Sequence, residues 1–479
     1  MNNMNFGLIG LAVMGQNLVL NIEDHGFTVA VYNRTASKTE EFIKDKARGR
    51  NIKAAFSIEE FVDILSKPRK IMIMVKAGHP VDTTIEELLP YLEQGDIIID
   101  GGNSHFADTK RRSAELEKRG ILFLGTGVSG GEEGARYGPC IMPGGDRAAY
   151  DKVEDVLLSI AAKVDDIPCC TYIGPGESGH YVKMVHNGIE YGDMQLIAEA
   201  YDFMRSGLDL SLDEIRGYFA KWKDGELGSF LMDITTDILG AVDPETGKAM
   251  LDIVLDKAKQ KGTGKWTCQA ALDLGIPISV IDSAVFGRNI SALKEERMNA
   301  SKALTGPEHK FEGNIDEMIQ AVHDALLCSK ISSYAQGMAL LLQASREFGY
   351  KLNFNEIARI WKGGCIIRAK ILEPIKQAFL KNPELPNLYL DDYFKKILIK
   401  KQENWRKRVV ETIKMGIPCP ATAAALEYYD SYRSPRLPAN VIQAQRDYFG
   451  AHTYERVDKE GAFHSKWDKI IFSDVSSGR

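Results

Sequence analysis

Short β-rich apolar runs alternate with amphipathic stretches of helical period from residue 4 to about residue 175, the pattern of a parallel sheet covered by helices. The runs predict strands at 5–9, 28–33, 70–75, 96–100 and 121–125, with fainter ones near Cys140 and Thr171. Beyond Gly176 long helical-period segments take over, so the second unit is expected to be almost entirely helical. The break falls at Gly174-Pro175-Gly176. The expected organisation is an α/β unit over 1–176, an all-α unit over 177–434 and a C-terminal tail over 435–479.

The helical region contains an internal echo. Gly207-Leu-Asp-Leu-Ser-Leu-Asp-Glu-Ile215 matches Gly349-Tyr-Lys-Leu-Asn-Phe-Asn-Glu-Ile357; each follows a long helix carrying a Val-His pair (Val185-His186, Val322-His323), and each precedes a Trp-Lys pair (Trp222, Trp361). A duplicated helical unit explains this economically; the general likeness of Leu-rich helix pairs is the alternative. From about Pro435 the helical rhythm is lost, and the chain ends in a polar segment of a kind that is often disordered.

A chain of 479 residues exceeds one ordinary core, and its 44% hydrophobic and 26% charged shares are those of a globular protein. The seven cysteines are odd in number and scattered apart from Cys169-Cys170, without the spacing of a zinc site or a disulfide framework, which places the chain in a reducing, cytoplasmic setting. The apolar stretch 6–20 is interrupted by three glycines, Gln16 and Asn17 and has no Lys or Arg before it, so it reads as strand, turn and helix rather than a signal peptide. No later segment approaches a membrane span, and a net charge of −6 gives no bulk attraction to nucleic acid. Membrane and nucleic-acid partners are therefore not expected. No His/Asp/Glu cluster has metal-ligand spacing, so no metal is expected.

The first strand runs into Gly10-Leu11-Ala12-Val13-Met14-Gly15 and then a helix, which aims backbone N–H groups and a helix N-terminus at a phosphate. Ala12 replaces the usual second glycine, and many such turns bind nothing. The second strand ends at Asn33-Arg34-Thr35 with no acid to bond a ribose, and Arg34 offers a guanidinium suited to a 2′-phosphate, which favours NADP; an ordinary solvated Arg is the alternative. Val75-Lys76-Ala77 and Asn103 follow later strands, at the edge where open parallel sheets bind ligands. Residues 1–176 are thus expected to form a Rossmann-like dinucleotide domain.

After the break, Ser178 to Tyr191 places Lys183, His186, Asn187, Glu190 and Tyr191 on one helical face, with Val182, Val185, Ile189 and Leu196 opposite. Such a face either borders a cavity, where it supplies a base and an acid together, or is simply solvated. Gly188 and Gly192, one turn apart, each cost about 1 kcal/mol in a helix, which points to something approaching closely. Ser129-Gly130-Gly131 follows a strand and reads as an anion nest or a flexible loop. Lys261, Lys265 and Arg288 add cations around glycine turns.

Together these residues resemble the 6-phosphogluconate dehydrogenase family over essentially the whole chain. The most diagnostic stretch is Lys261-Gly-Thr-Gly-Lys-Trp266 preceded by Leu255-Asp256, joined by Gly10 to Gly15, Ser129-Gly-Gly131 and Lys183 to Tyr191. Lys259 departs, standing where the family generally has a small residue, which puts the local packing of that turn in doubt. The resemblance implies NADP as cofactor and a homodimer whose tail, through Arg446 and His452, enters the partner's site. It implies that Asn103, Ser129, Gly130, Gly131, His186, Asn187, Tyr191, Lys261 and Arg288 hold 6-phosphogluconate with Arg446 and His452, and that Arg288, Arg446, Lys261 and Tyr191 serve its phosphate. It further implies Lys183 as the base for oxidation and Glu190 as the acid that protonates carbon 1, in the pentose phosphate pathway. Two other readings stand beside it: a shorter β-hydroxyacid dehydrogenase acting on an unphosphorylated substrate, and a dinucleotide-binding sensor without catalysis.

Overall fold

The computed structural model describes residues 4–468; residues 1–3 and 469–479, which the expected first unit and tail include, lie outside it. The apolar runs become β1 (Phe6–Ile9), β2 (Val29–Tyr32), β3 (Ile52–Ala55), β4 (Lys70–Ile73), β5 (Ile97–Asp100), β6 (Leu122–Ser129) and β7 (Cys140–Gly145). They form one seven-stranded sheet in the order β3-β2-β1-β4-β5-β6-β7, parallel except for β7, which runs antiparallel to β6. Phe6, Leu8, Val29, Val31, Ile71, Ile97 and Ile99 are all fully buried, as a sheet covered on both faces requires. The strand order reverses between β1 and β4, so the crevice beyond their C-terminal ends is the fold's natural ligand site.

Helices α1 (Val13–Asp24), α2 (Ala36–Asp45), α3 (Ile58–Asp63), α4 (His79–Leu88), α5 (Phe106–Glu117), α6 (Gly131–Tyr137) and α7 (Arg147–Ile160) accompany the strands. β3 has no counterpart among the sequence-predicted strands: only Ala55 of its four residues is buried, so pairing with β2 rather than an apolar pattern defines it. Thr171 lies in no strand; isolated bridges Ile141↔Cys170 and Gly144↔Gly174 are all that region contributes to the sheet.

The rest is helical: α8 (Ser178–Asp202), α9 (Leu212–Lys223), α10 (Phe230–Leu239), α11 (Met250–Ile253), α12 (Thr263–Leu274), α13 (Ser279–Ala292), α14 (Lys294–Ala303) and α15 (Ile315–Phe348). Then follow α16 (Phe354–Ile360), α17 (Leu372–Lys381), α18 (Asp392–Lys414), α19 (Pro420–Tyr432) and α20 (Ala439–Gly450). The internal echo is a structural repeat. In it α8 followed by Ser211-capped α9 corresponds to α15 followed by Asn353-capped α16. The two copies pack reciprocally: the His186 ring meets Trp361 edge-on at 5.5 Å, and the His323 ring meets Trp222 edge-on at 5.6 Å. Such exchange is what an approximate twofold relation between duplicated units produces. Contrary to the sequence expectation, α15 is long and apolar enough to cross a membrane, but 94% of its most apolar stretch is buried inside the protein.

Residues up to Leu426 form one compact unit, and those from Glu427 a second. Within the second, the segment expected to lose helical rhythm contains the 12-residue α20 and a short hairpin pairing Tyr454 with Phe463. Buried Asp447 organises it, accepting hydrogen bonds from the Thr453 and Ser465 backbone N–H groups and from Trp467 Nε1 at 2.9 Å.

Candidate active site

The glycine turn between β1 and α1 is built for close approach. Gly10 has φ +104°, and a Cβ there would lie 2.5 Å from the Met74 carbonyl; one at Gly15 would lie 1.9 Å from the Gly10 carbonyl. Leu11 is a core side chain, and its N–H donates to Asn33 Oδ1 at 3.0 Å, so Asn33 ties the turn to the end of β2. Ala12 caps α1 in extended conformation without a side-chain bond, and Ala12 and Val13 are exposed, with Met14 half-buried. Arg34 and Thr35 are exposed, Thr35 at an α2 N-terminus that has neither a side-chain cap nor an acid in its first turn. Uncapped helix starts beside an Arg with no ion pair among the described residues suit a phosphorylated dinucleotide. Beyond β4, Val75 and Ala77 are half-buried and Lys76 is exposed. Asn103 is exposed on a loop pinned by Asp100, which accepts from the Gly102 N–H at 3.1 Å and the Ser104 hydroxyl at 2.6 Å.

Helix α8 is not a surface helix with one wet face. Val182, Val185 and Ile189 are fully buried, yet Lys183 is only 5% exposed, His186 0% and Asn187 8%. The helix lies directly on β6 and β7 because glycines clear its path: a Cβ at Gly127 would sit 2.4 Å from the Lys183 Cβ, and one at Gly144 would sit 2.3 Å from the Gly179 nitrogen. This also explains why β6 extends to Ser129 rather than stopping at Gly125, since its glycines serve contact instead of a loop. Gly188 and Gly192 admit neighbouring helices, not a ligand: their Cβ positions fall 2.8 Å from the Thr267 side chain on α12 and 2.4 Å from Ser333 Oγ on α15.

On this helix Lys183 Nζ donates to Asn187 Oδ1 at 2.5 Å, and the same oxygen lies 3.1 Å from His186 Nδ1. An amide oxygen only accepts, so His186 carries its proton on Nδ1 and turns Nε2 as an acceptor toward Ser129 Oγ, 3.5 Å away. Asn187 Nδ2 donates to Thr263 Oγ1 at 3.2 Å, anchoring the cluster to α12. Glu190 lies 4.0 Å from His186 Nδ1, partly open, two turns beyond Lys183 on the same face. Burial holds the Lys183 ammonium below its ordinary 10.5, and the nearby Cys365 thiol, itself pushed up to about 12 by burial, remains neutral at physiological pH. Burial drives His186 well below 6.5, with Lys183 adding to the effect. Glu190 is raised above 4.5 by burial, against the pull of Lys183 and Arg288. An amine shifted down and a carboxyl shifted up on one face are suited to remove and deliver protons.

Tyr191 carries the Arg288 guanidinium 3.6 Å above its ring, and Arg288 Nη1 donates to the Lys259 carbonyl at 3.0 Å. That contact uses the Lys259 backbone, so the departing side chain does not disturb it. Lys261 is exposed just before α12. The Asn103 loop and this turn meet where the His105 and Trp266 rings pack at 4.9 Å. Gly130, at φ +127°, and Gly131, at φ +64°, turn the chain from Ser129 into α6. Arg446 and His452 belong to the second unit, Arg446 exposed and bonded to Gln443 at 3.2 Å, His452 against the Phe449 ring. Thr263, which the 261–266 stretch contains, joins the Lys183 surroundings together with Cys365, which has no signal of its own in the sequence, and Trp361 is marked there only by the repeat.

Residues 5–174 match the family model for the NAD binding domain of 6-phosphogluconate dehydrogenase, and residues 179–467 match that for the 6-phosphogluconate dehydrogenase C-terminal domain. The NADP(+)-dependent, decarboxylating 6-phosphogluconate dehydrogenase of Bacillus subtilis is 58% identical over 470 residues, covering 98% of this chain and 100% of the relative. The decarboxylating enzyme of Schizosaccharomyces pombe is 55% identical, covering 95% of this chain and 93% of its own. The solved structure of Plasmodium falciparum 6-phosphogluconate dehydrogenase, studied in its apo form, with NADP+ and with 6-phosphogluconate, superposes with a TM-score of 0.93 at 46% identity, covering 97% of this chain and 100% of that one.

Proposed function

The chain belongs to the 6-phosphogluconate dehydrogenase family, and from that premise we infer how its own side chains divide the reaction. The protein oxidises and decarboxylates 6-phosphogluconate to ribulose 5-phosphate and carbon dioxide with reduction of NADP. NADP, when bound, accepts the hydride from carbon 3 of the substrate. Lys183, whose burial favours the neutral amine, takes the proton of the carbon 3 hydroxyl. The resulting β-keto acid loses its carboxylate as carbon dioxide while Lys183 returns the proton to the ketone oxygen, giving an enediol. Glu190 then delivers its proton to carbon 1 as Lys183 recovers the enol proton. No proton is gained or lost overall, so the cycle closes when Lys183 passes its proton to Glu190.

The observation that carries this division is Lys183, buried with an amide oxygen and no carboxylate within ion-pair distance among the described residues, two turns from a half-open Glu190. Asn103, Ser129, Gly130, Gly131, His186 and Asn187 are assigned to the carbon chain of the substrate, and Lys261, Tyr191 and Arg288 to its phosphate. A homodimer in which Arg446 and His452 complete the partner's site follows from the family premise, as does NADP contact by the 10–15 turn, Asn33 to Thr35, Val75 to Ala77 and Asn103. Seven free cysteines, six of them buried, support a reducing, cytoplasmic setting.

The test is stoichiometric. With 6-phosphogluconate and NADP the protein should form NADPH and carbon dioxide in equal amounts; NADPH without carbon dioxide would mean that the cluster stops at the keto acid.

A further inference from the structure

One turn beyond Glu190 on α8 stands Asp193, which is fully buried. Lys330 of α15 reaches it, with Nζ 2.9 Å from Oδ2 and side-chain exposures of 2% and 0%. Apart from that ion pair, Asp193 accepts no hydrogen bond among the described residues, while Lys330 also donates to Ser229 Oγ at 3.0 Å. The helices touch tightly there, Gly192 leaving room for Ser333. In the repeat, aligning His186 with His323 makes Asp193 and Lys330 equivalent positions and sets Leu327 opposite Glu190, so the acid exists in only one copy.

If the pair served only to clamp α8 to α15, apolar residues would do as well. Buried ion pairs replaced by packed hydrophobic side chains are often neutral or stabilising, and the equivalent pairs Val185/Val322 and Ile189/Leu326 are apolar. What a charge pair adds is a field, and residues three apart on a helix are neighbours. We propose that Asp193, held in place by Lys330, is a positioning residue for Glu190, keeping the proton on its carboxyl until carbon 1 of the enediol takes it.

The charged groups around Glu190 pull its proton in opposite directions. Lys183 on its own helix and Arg288 from α13 favour its ionised form, His186 is neutral, and Asp193 opposes the two cations, with Lys330 arriving from α15. Without Asp193, Arg288 and the Lys183 ammonium that forms when the substrate's proton is taken would strip the acid of its proton early. In the step itself the Glu190 O–H bond breaks, a C–H bond forms at carbon 1 from the enediol double bond, and the enol proton goes to Lys183; Asp193 exchanges nothing. The proposal rests on Glu190 as the acid.

The test compares Asp193→Asn, Asp193→Asn/Lys330→Met and Glu190→Gln by pH profile, melting midpoint and solvent exchange of the carbon 1 hydrogen of ribulose 5-phosphate with NADPH present. Asp193→Asn leaves Lys330 unpaired and is expected to lower the midpoint; the double variant removes both charges and should recover it. The expected result is that the alkaline limb of kcat and of the exchange moves to lower pH in the double variant, on the order of one unit. A double variant that recovers stability with a wild-type alkaline limb overturns the proposal and leaves the pair a clamp. If Glu190→Gln keeps wild-type exchange, the acid assignment itself fails, an outcome separable from the first.

Discussion

Lys183 is buried beside an amide, a placement that costs stability and that the proposed role as base requires. Its folded value lies below 10.5, so the unfolded chain binds more protons in the window between the two values and stability rises with pH there. Lys183→Met should therefore raise the melting midpoint, most at neutral pH, with the gain shrinking as pH approaches 10.5. The same variant should lose about 10³-fold or more in kcat while keeping NADP affinity; equal loss of cofactor binding would contradict the assignment. Glu190 has the opposite sign: its folded value lies above 4.5, so its contribution to stability is lost as pH rises through that value. The residue types and their common face were legible in the sequence because helical spacing is fixed. Their burial was not, since the glycines that admit it sit far away, on β6 and β7.

At the scale of elements, those glycines set where the chemistry stands. Gly127→Ala places a methyl 2.4 Å from the Lys183 Cβ, a contact neither backbone can relieve by rotating a side chain. The expected cost is about 1–3 kcal/mol, together with a fall in kcat exceeding any change in NADP affinity. Gly131→Ala, with open space around it but φ +64°, should cost about 1 kcal/mol and disturb Lys183 little. Melting curves and kcat for both decide whether packing or backbone conformation governs the site. Strongly apolar strands were readable from pattern; edge strand β3 was not, because hydrogen bonding to β2 defines it. The full length of β6 is hidden in the sequence because glycine in a strand signals a break unless the packing partner is known.

At the scale of the molecule, the repeat was legible from two matched segments and two Val-His pairs, whereas the reciprocal His–Trp packing needed the fold. The tail's helix has no clear sequence pattern because Asp447, not an apolar face, organises it. Subunit exchange tests whether that tail serves a partner. Arg446→Ala and Lys183→Met subunits, each inactive alone, should on mixing regain about a quarter of wild-type activity, because half the dimers would be hybrids with one intact site. No recovery after exchange would place Arg446 in the site of its own chain.

The most direct test of the division of labour between Lys183 and Glu190 is the first turnover of Glu190→Gln, followed by the absorbance of reduced nicotinamide. In the proposed division oxidation needs Lys183 and not Glu190, so the variant should form NADPH equal to its active sites at the wild-type rate and then slow at the carbon 1 step. Absence of that burst would show that Glu190 acts before hydride leaves, and would contradict the account.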